Sequence, residues 1–380
     1  MNSSFHHFLL ELPQPSFDSP LTSIILELEK LRYKRIQDTH VYPLIFSQIK
    51  EIFQLLESLE SVRIEGNNTT LSELIEKTIE GKKSSNEQME ELENIQAALK
   101  FADDYIQKGT KIDRAFISEL HRLVVSGLKR DGDRTPGIYR SEEVKISNSN
   151  HQPPRPETIS SYMEEFFDFI GTPKEIKYNL LVTALAHHRF VWIHPFRNGN
   201  GGVVRLLTYS MLVSQGFMVG NILNPTAVFC NDRNKYYEFL AKADSGLSFG
   251  IEEWCHYVLS NLLIEMNKIE KLLDHKYLTE KILFPALKFS LEKEVITEEE
   301  RSLLKVGIEL GEFKAGDFNK ILGKKNSSQV TRIINKLKNQ KMIYSLPNSP
   351  RKYGISLVNN YLLRGVIHYL SLEGFIPFKD

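Results

Sequence analysis

The stretch Phe190 to Tyr209, FVWIHPFRNGNGGVVRLLTY, sets a histidine, glycines, asparagines and arginines at the mouth of a helix. Apolar residues recur at Val203, Leu206, Leu207, Tyr209, Met211 and Leu212, the spacing of an amphipathic helix. Gly199, Asn200, Gly201 and Gly202 therefore fall at its N-terminus. The first amides of a helix have no partner within it, and glycines let an anion come close to them and to the positive end of the dipole. That makes an anion seat. His194, just upstream, is placed to act as a base, and Arg205, one turn into the helix, reaches a more distal phosphate with its fork of donors.

Neither familiar nucleotide loop is present: there is no GxxxxGK[ST], and Val204 stands where GxGxxG requires a glycine. His187, His188 and His194 lack the HExxH spacing or cysteine pair of a zinc site, so the first two read as satisfied helix histidines.

HPFRNGNGGVVR resembles the motif of Fic-domain proteins, HPFx(D/E)GNGRxxR, at all but two of its fixed positions. The resemblance covers roughly Leu12 to Leu262. It implies a helical fold that transfers AMP from ATP to a Tyr, Thr or Ser hydroxyl of a target protein. His194 would be the general base. Gly199, Asn200, Gly201 and Gly202 would meet the inner phosphates, and Arg205 the γ-phosphate. Two departures stand out. Asn198 replaces the acidic residue that holds Mg²⁺, which weakens the site for a hard cation. Gly202 replaces the first arginine and removes one charge-assisted contact, worth about 1.5–3 kcal/mol. Arg197 and Arg189 are candidates to substitute for it.

A second motif stands far upstream. Ser61–Asn67, SVRIEGN, ends a helical run through Ile45, Ile49, Ile52, Leu55, Leu56 and Leu59, with Gly66 suited to a left-handed cap. It resembles the family's inhibitory helix, (S/T)xxxE(G/N), so Ser61, Glu65 and Gly66 form the expected brake, with Glu65 pairing to Arg205. In some relatives this glutamate also orients water for removing AMP, and a reversing activity belongs to the same expectation.

Glu143–Ile146 alternates polar and apolar residues before a turn at Asn148–Asn150, which reads as a short β-hairpin. By resemblance it is the flap on which a target segment docks by strand addition, through Val144, Lys145 and Ile146. Tyr237 and Asp244 fall where relatives contact adenine, although Tyr236 and Tyr237 also read as core tyrosines. The helix Asn179–Val191 would support His194 from behind.

Helical patterns dominate elsewhere, at Ile24–Leu31, Ile95–Tyr105, Ile117–Val125 and Met163–Ile170. The fold class is mainly α. The expected division is an N-terminal helical region over 1–110, a Fic core over 111–275 and a winged helix-turn-helix over 276–380. This last region is set apart by charge. The chain has 48 basic and 48 acidic residues, yet Phe318–Lys352 contains Lys320, Lys324, Lys325, Arg332, Lys336, Lys338, Lys341, Arg351 and Lys352 and no acidic residue. A short helix Ala315–Leu322, a turn Gly323–Asn326, a second helix Ser327–Gln340 capped by Ser327, then strand, turn and strand give the winged pattern. Its second helix would present Ser328, Gln329, Thr331 and Arg332 to DNA.

With 380 residues and 41% hydrophobic content the chain can build two or three cores. It shows no span-length apolar run and no signal-peptide pattern, and its two cysteines, Cys230 and Cys255, give no disulfide framework. A cytoplasmic protein with no membrane partner is the expectation. ATP as substrate and Mg²⁺ are the expected small molecules; a target hydroxyl, DNA and a second copy in a homodimer are the partners to test. Two other readings stay open. One is a weakened nucleotide sensor on a DNA-binding regulator, and the other a transferase with a different phosphate donor.

Overall fold

The computed structural model describes residues 7–33, 41–81, 86–146, 149–217, 225–318 and 327–376. Two helices carry the motif. α7 spans Asn179–Ile193 and α8 spans Asn200–Ser214, and both are buried on nearly every face. A helix apolar all round belongs at a centre, and the others are layered about this pair. α4 (Glu87–Tyr105) and α5 (Arg114–Val124) cover α8, and α6 (Ile159–Gly171) covers α7. α1 (Pro20–Arg32), α10 (Arg233–Ala243) and the long α11 (Ser248–Leu272) complete the core, with α9 (Thr226–Cys230) wedged between α2 and α11.

α2 spans Pro43–Ile64, longer than the apolar run that announces it. Proline in its first turn needs no hydrogen bond there. It ends at Glu65, and Gly66 takes φ +100°, a conformation that suits glycine, while the Asn67 amide donates to the Val62 carbonyl. α3 (Leu71–Glu80) follows, opened by a reciprocal capping box between Thr70 and Glu73.

The C-terminal part begins with α12 (His275–Tyr277), a π-helical stretch Leu278–Leu283, α13 (Phe284–Glu292) and α14 (Glu298–Leu310). Then come β1 (Phe313–Lys314), a short 3₁₀ turn Ala315–Phe318, α15 (Ser327–Asn339), β2 (Ile343–Leu346), β3 (Ser349–Ile355) and α16 (Leu362–Leu372). The sheet is antiparallel in the order β1-β3-β2, with Phe313 opposite Tyr353 and Ile343 opposite Ile355. β1 and α16 went unread in the sequence, and β3 starts earlier than its alternation suggested. The rest of the helix expected at Ala315–Leu322 and the turn Gly323–Asn326 lie largely outside the described residues, as do Lys320, Lys324 and Lys325.

α2 joins this part to the core. The Gln48 side chain donates to the Ile355 carbonyl and accepts from the Leu357 amide, so a single carboxamide closes the end of β3. Tyr42 lies against Gly311, where a Cβ would come within 2.4 Å of its ring, and Arg364 of α16 pairs with Glu76 of α3 at 2.6 Å. Among the described residues no helix is long and apolar enough to cross a membrane.

Candidate active site

α7 stops at Ile193, and His194 adopts φ 52°, ψ 60°, the left-handed region that few non-glycine residues enter. Its amide still donates to the Phe190 carbonyl. Its ring Nδ1–H points at the Val191 carbonyl at 3.4 Å, which leaves the Nε2 lone pair free to take a proton. Burial, aided by the positive charge of Arg140 and by His151, lowers the imidazole to about 4 against its hydrogen bond to the Val191 carbonyl. The imidazole is therefore neutral at physiological pH.

The turn after it is tied to itself. Asn200 is 3% exposed; its Oδ1 accepts from the Phe196 amide at 3.0 Å and its Nδ2 donates to the Phe196 carbonyl at 2.8 Å. Its carboxamide thus staples the loop rather than reaching for phosphate, and only its main-chain amide remains for that task. Phe196 is buried and stacks on His121 at 3.8 Å between ring centroids. Gly199 takes φ 71° as the cap, and the Val203 amide is the first to bond back, to the Gly199 carbonyl. The amides of Asn200, Gly201 and Gly202 have no partner within the helix.

Arg205 is 2% exposed and fully engaged. Nε donates to Ser61 Oγ at 2.9 Å, Nη2 to the Ser61 carbonyl at 3.0 Å and Nη1 to Glu65 Oε1 at 2.9 Å. The same carboxylate lies directly over Gly201, where a Cβ would fall 1.8 Å from Oε1. The Glu65 side chain is 46% exposed, so the pair is closed on the arginine side and open on the other.

The two departures from the motif take definite positions. Asn198 Nδ2 donates to the Gly132 carbonyl at 2.7 Å, and its own carbonyl accepts from His121 Nε2 at 3.2 Å. Gly202 is buried with its missing side chain aimed at Val124 and Ile95, 3.0 and 3.1 Å from where a Cβ would be. It allows α8 to pack closely on α4 and α5; beyond its amide it adds nothing to the anion seat. Arg189 does not stand in for the lost arginine. It is buried between Phe8 and Trp192 and donates to the Phe8 carbonyl at 2.6 Å. Arg197 lines the cavity and pairs with Glu142 at 2.8 Å. No group of three or more His, Cys, Asp or Glu able to hold a metal exists among the described residues, and Asn198 supplies no carboxylate. The residues present do not fit a metal held by the protein itself.

All of this faces one cavity of about 920 Å³. Its walls hold His194, the Gly199–Gly202 turn, Arg205 and Glu65, and also Lys145, Ile146, Tyr237 and Asp244. Tyr236 also borders the cavity but is buried, with its hydroxyl on His187 Nε2 at 3.0 Å, and Tyr237 lines the cavity beneath Arg233. Asp244 Oδ1 meets His188 Nε2 at 3.0 Å. Of the expected docking residues, Lys145 and Ile146 border the cavity and Val144 does not; the segment forms no ladder among the described residues, and Ser147 and Asn148 lie outside them. Five charged residues here had no sequence signal: Glu87, Glu91, Arg130, Asp131 and Arg233. Burial raises the Glu91 carboxyl to about 7, opposed by its hydrogen bond from Asn67 and reinforced by Asp131 and Glu65.

A helical domain built round a glycine-rich helix mouth with a histidine at its rim defines the class. Residues 111–212 match the Fic/DOC family. It is 35% identical over 191 residues to "Protein adenylyltransferase Fic" of Nematostella vectensis, covering 48% of this chain and 42% of that protein. The protein of the same name in Drosophila willistoni is 30% identical over 191 residues, covering 49% and 36%. The chain thus spans less than half the length of these relatives. Among solved structures, a Fic family protein from Desulfovibrio desulfuricans superimposes with a TM-score of 0.59 at 20% identity, over 91% of this chain and 98% of that one. Fic-1 (residues 134–508) from C. elegans gives 0.52 at 20% identity, over 66% and 72%.

Proposed function

We propose that this chain moves AMP from ATP to a hydroxyl side chain of a protein, and that Glu65 holds the resting state shut. The reading is carried by one observation: the Glu65 carboxylate rests on Arg205 and over Gly201, in the place a phosphate would take, within the cavity that holds His194. A carboxylate there neutralises the cation and covers the amides that a triphosphate needs. With Glu65 displaced, the target oxygen attacks the α-phosphorus as its proton passes to His194 Nε2. The bond from the α-phosphorus to the bridging oxygen breaks, and pyrophosphate leaves towards Arg205. Positioning and charge stabilisation supply most of the rate. Tyr237 and Asp244 would border the adenine, and Val144, Lys145 and Ile146 the target segment. Mg²⁺ would arrive with the nucleotide, since Asn198 gives it little hold.

Intact mass after incubation with ATP and Mg²⁺ is the test. Glu65→Gly should gain one AMP, wild type little, and Glu65→Gly/His194→Ala none. Equal, negligible gain in the first two, with ATP bound by both, overturns the reading. Nucleotide binding without transfer favours a sensor, which the tethered Asn198 carboxamide supports; a gain only with another donor favours that donor. Removal of AMP from a modified target, faster in wild type than in Glu65→Gly, would reveal the reverse activity.

For the C-terminal part the reading is a winged helix-turn-helix that contacts duplex DNA. Support comes from α15 preceding the β2–β3 hairpin and from the exposure of Ser328, Gln329, Thr331 and Arg332. The basic face is narrower than composition suggests, because Lys336 pairs with Glu300 at 2.6 Å and Lys352 with Glu312 at 3.0 Å. Steep salt dependence of duplex binding supports the reading, and binding unchanged in Arg332→Ala counts against it.

A further inference from the structure

Arg140 is 5% exposed, and among the described residues it pairs with no carboxylate, Glu143 acting on its charge only from further away. Its guanidinium spends its donors on main-chain carbonyls instead. Nε donates to His194 at 2.8 Å, Nη1 to Glu142 at 2.9 Å and Nη2 to Pro154 at 2.7 Å. Its own amide donates to the Pro195 carbonyl at 2.9 Å. One residue therefore holds two consecutive carbonyls where the chain leaves α7, at the point where His194 turns left-handed. It also holds both ends of the segment 142–154, which carries Lys145, Ile146 and His151 along the cavity wall.

We propose that Arg140 is the positioning residue of this site, fixing the His194 imidazole in register with the segment on which a target hydroxyl is presented. This deepens the transferase reading and rests on it. A buried cation satisfied only by neutral carbonyls is costly to keep, and three acceptors on three separate stretches require a planar fork that lysine lacks. The His194 carbonyl is also an orphan acceptor at the end of α7, so the cation meets the negative end of that dipole. The charge adds a second effect, since Arg140 and His151 both help keep the imidazole unprotonated. Nothing in the contact set touches the anion seat: Arg205 is held by Ser61 and Glu65, and the turn before α8 is held by the Asn200 carboxamide. Loss of Arg140 should thus separate binding from transfer.

The experiment compares Arg140→Met and Arg140→Lys in the full-length Glu65→Gly chain. It reads binding of a fluorescent ATP analogue, the rate of AMP incorporation, and the His194 titration by NMR of labelled histidine. For Arg140→Met the expectation is nucleotide affinity within about threefold of the parent and a transfer rate about 10²-fold lower, the scale of a misplaced reacting group. The His194 titration should move to higher pH. Arg140→Lys should recover part of the rate and keep the titration low. Transfer within threefold of the parent in either variant overturns the proposal. So does a parallel loss of nucleotide binding and transfer with the His194 titration unmoved, which marks a packing role. If Arg140→Met fails to fold, Arg140→Lys decides by the same rate criterion. If the Glu65→Gly parent itself transfers nothing, the transferase reading fails. The titration then decides separately: a shift in Arg140→Met supports the positioning role and a fixed value refutes it.

Discussion

The two ends of the cavity are built around buried arginines held in opposite ways. At the base end, Arg140 is bound by three carbonyls of the main chain, none of which can leave without unravelling a loop. At the phosphate end, Arg205 is bound by a serine and by a glutamate whose side chain is nearly half exposed. A carbonyl is a permanent partner; a carboxylate on an open surface is an exchangeable one. Under the proposed function, this fixes His194 and leaves access to the phosphate seat adjustable, the arrangement an inhibited transferase needs.

The largest effect should come from breaking the fixed end. In a Glu65→Gly background, His194→Ala should lower AMP incorporation by about 10²–10⁴-fold, the usual worth of a positioned proton acceptor. Nucleotide binding, measured by fluorescence, should stay within a few-fold, because nothing at the phosphate end touches the imidazole. A parallel loss of binding would erase the distinction between the two ends.

The exchangeable end comes next. Displacing Glu65 surrenders a charge-assisted hydrogen bond worth about 1.5–3 kcal/mol, so Glu65→Gly should tighten ATP by about 10–100-fold by titration calorimetry. Gly201→Ala sharpens the same point. Its methyl would meet Glu65 Oε1 at 1.8 Å and Arg205 Nη1 at 3.0 Å, so it should expel the carboxylate and hinder a phosphate at one stroke. If the two anions share one seat, Gly201→Ala binds ATP about tenfold more weakly than Glu65→Gly. Affinity equal to that of Glu65→Gly would mean that the triphosphate lies elsewhere.

What the sequence revealed follows the same division. The loop, its base and the glutamate were legible because each is a local pattern: a glycine cluster opening an amphipathic run, and a Ser-to-Glu spacing before a helix stop. Arg140 was not. It follows an unremarkable Gly-Ile-Tyr, and only tertiary folding brings Glu142, Pro154 and His194 around it. Asn200 was legible as a site residue but not in its role, since the staple to Phe196 depends on how tightly the turn closes. The run through α2 was visible, whereas its hold on β3 was hidden: nothing local tells that Gln48 meets residues some three hundred positions later. The flap was legible only as alternation across four residues, which by itself does not fix a ladder, and its turn at Ser147 and Asn148 lies outside the described residues.

Asn198 offers a smaller effect, in stability. An aspartate there would resemble the usual motif more closely, yet it loses the donor to the Gly132 carbonyl and sets a negative charge against it. Asn198→Asp should therefore lower stability by about 1 kcal/mol in metal-free urea unfolding. Unchanged stability would show that the Gly132 contact contributes nothing.

The smallest effect distinguishes the two ends by pH. The His194 imidazole is lowered to about 4 by burial, so its contribution to stability is complete above its unfolded value near 6.5 and is lost as pH falls through 4. Glu91 runs the other way. Its carboxyl is raised to about 7, chiefly by burial, with Asn67 and Arg205 opposing and Asp131 and Glu65 reinforcing. Its contribution is full below its unfolded value near 4.5 and is lost as pH rises through 7. Between pH 7 and 8 the base end is therefore nearly silent while Glu91 gains a charge beside Glu65. Ionised, it repels the carboxylate that occupies Arg205 and loosens the exchangeable end. Glu91→Gln should be more stable than wild type at pH 8, by about 1 kcal/mol after solvent screening, and indistinguishable from it at pH 5. A stability difference that is the same at both pH values would assign Glu91 a contact role and leave the phosphate end as insensitive to protons as the base end.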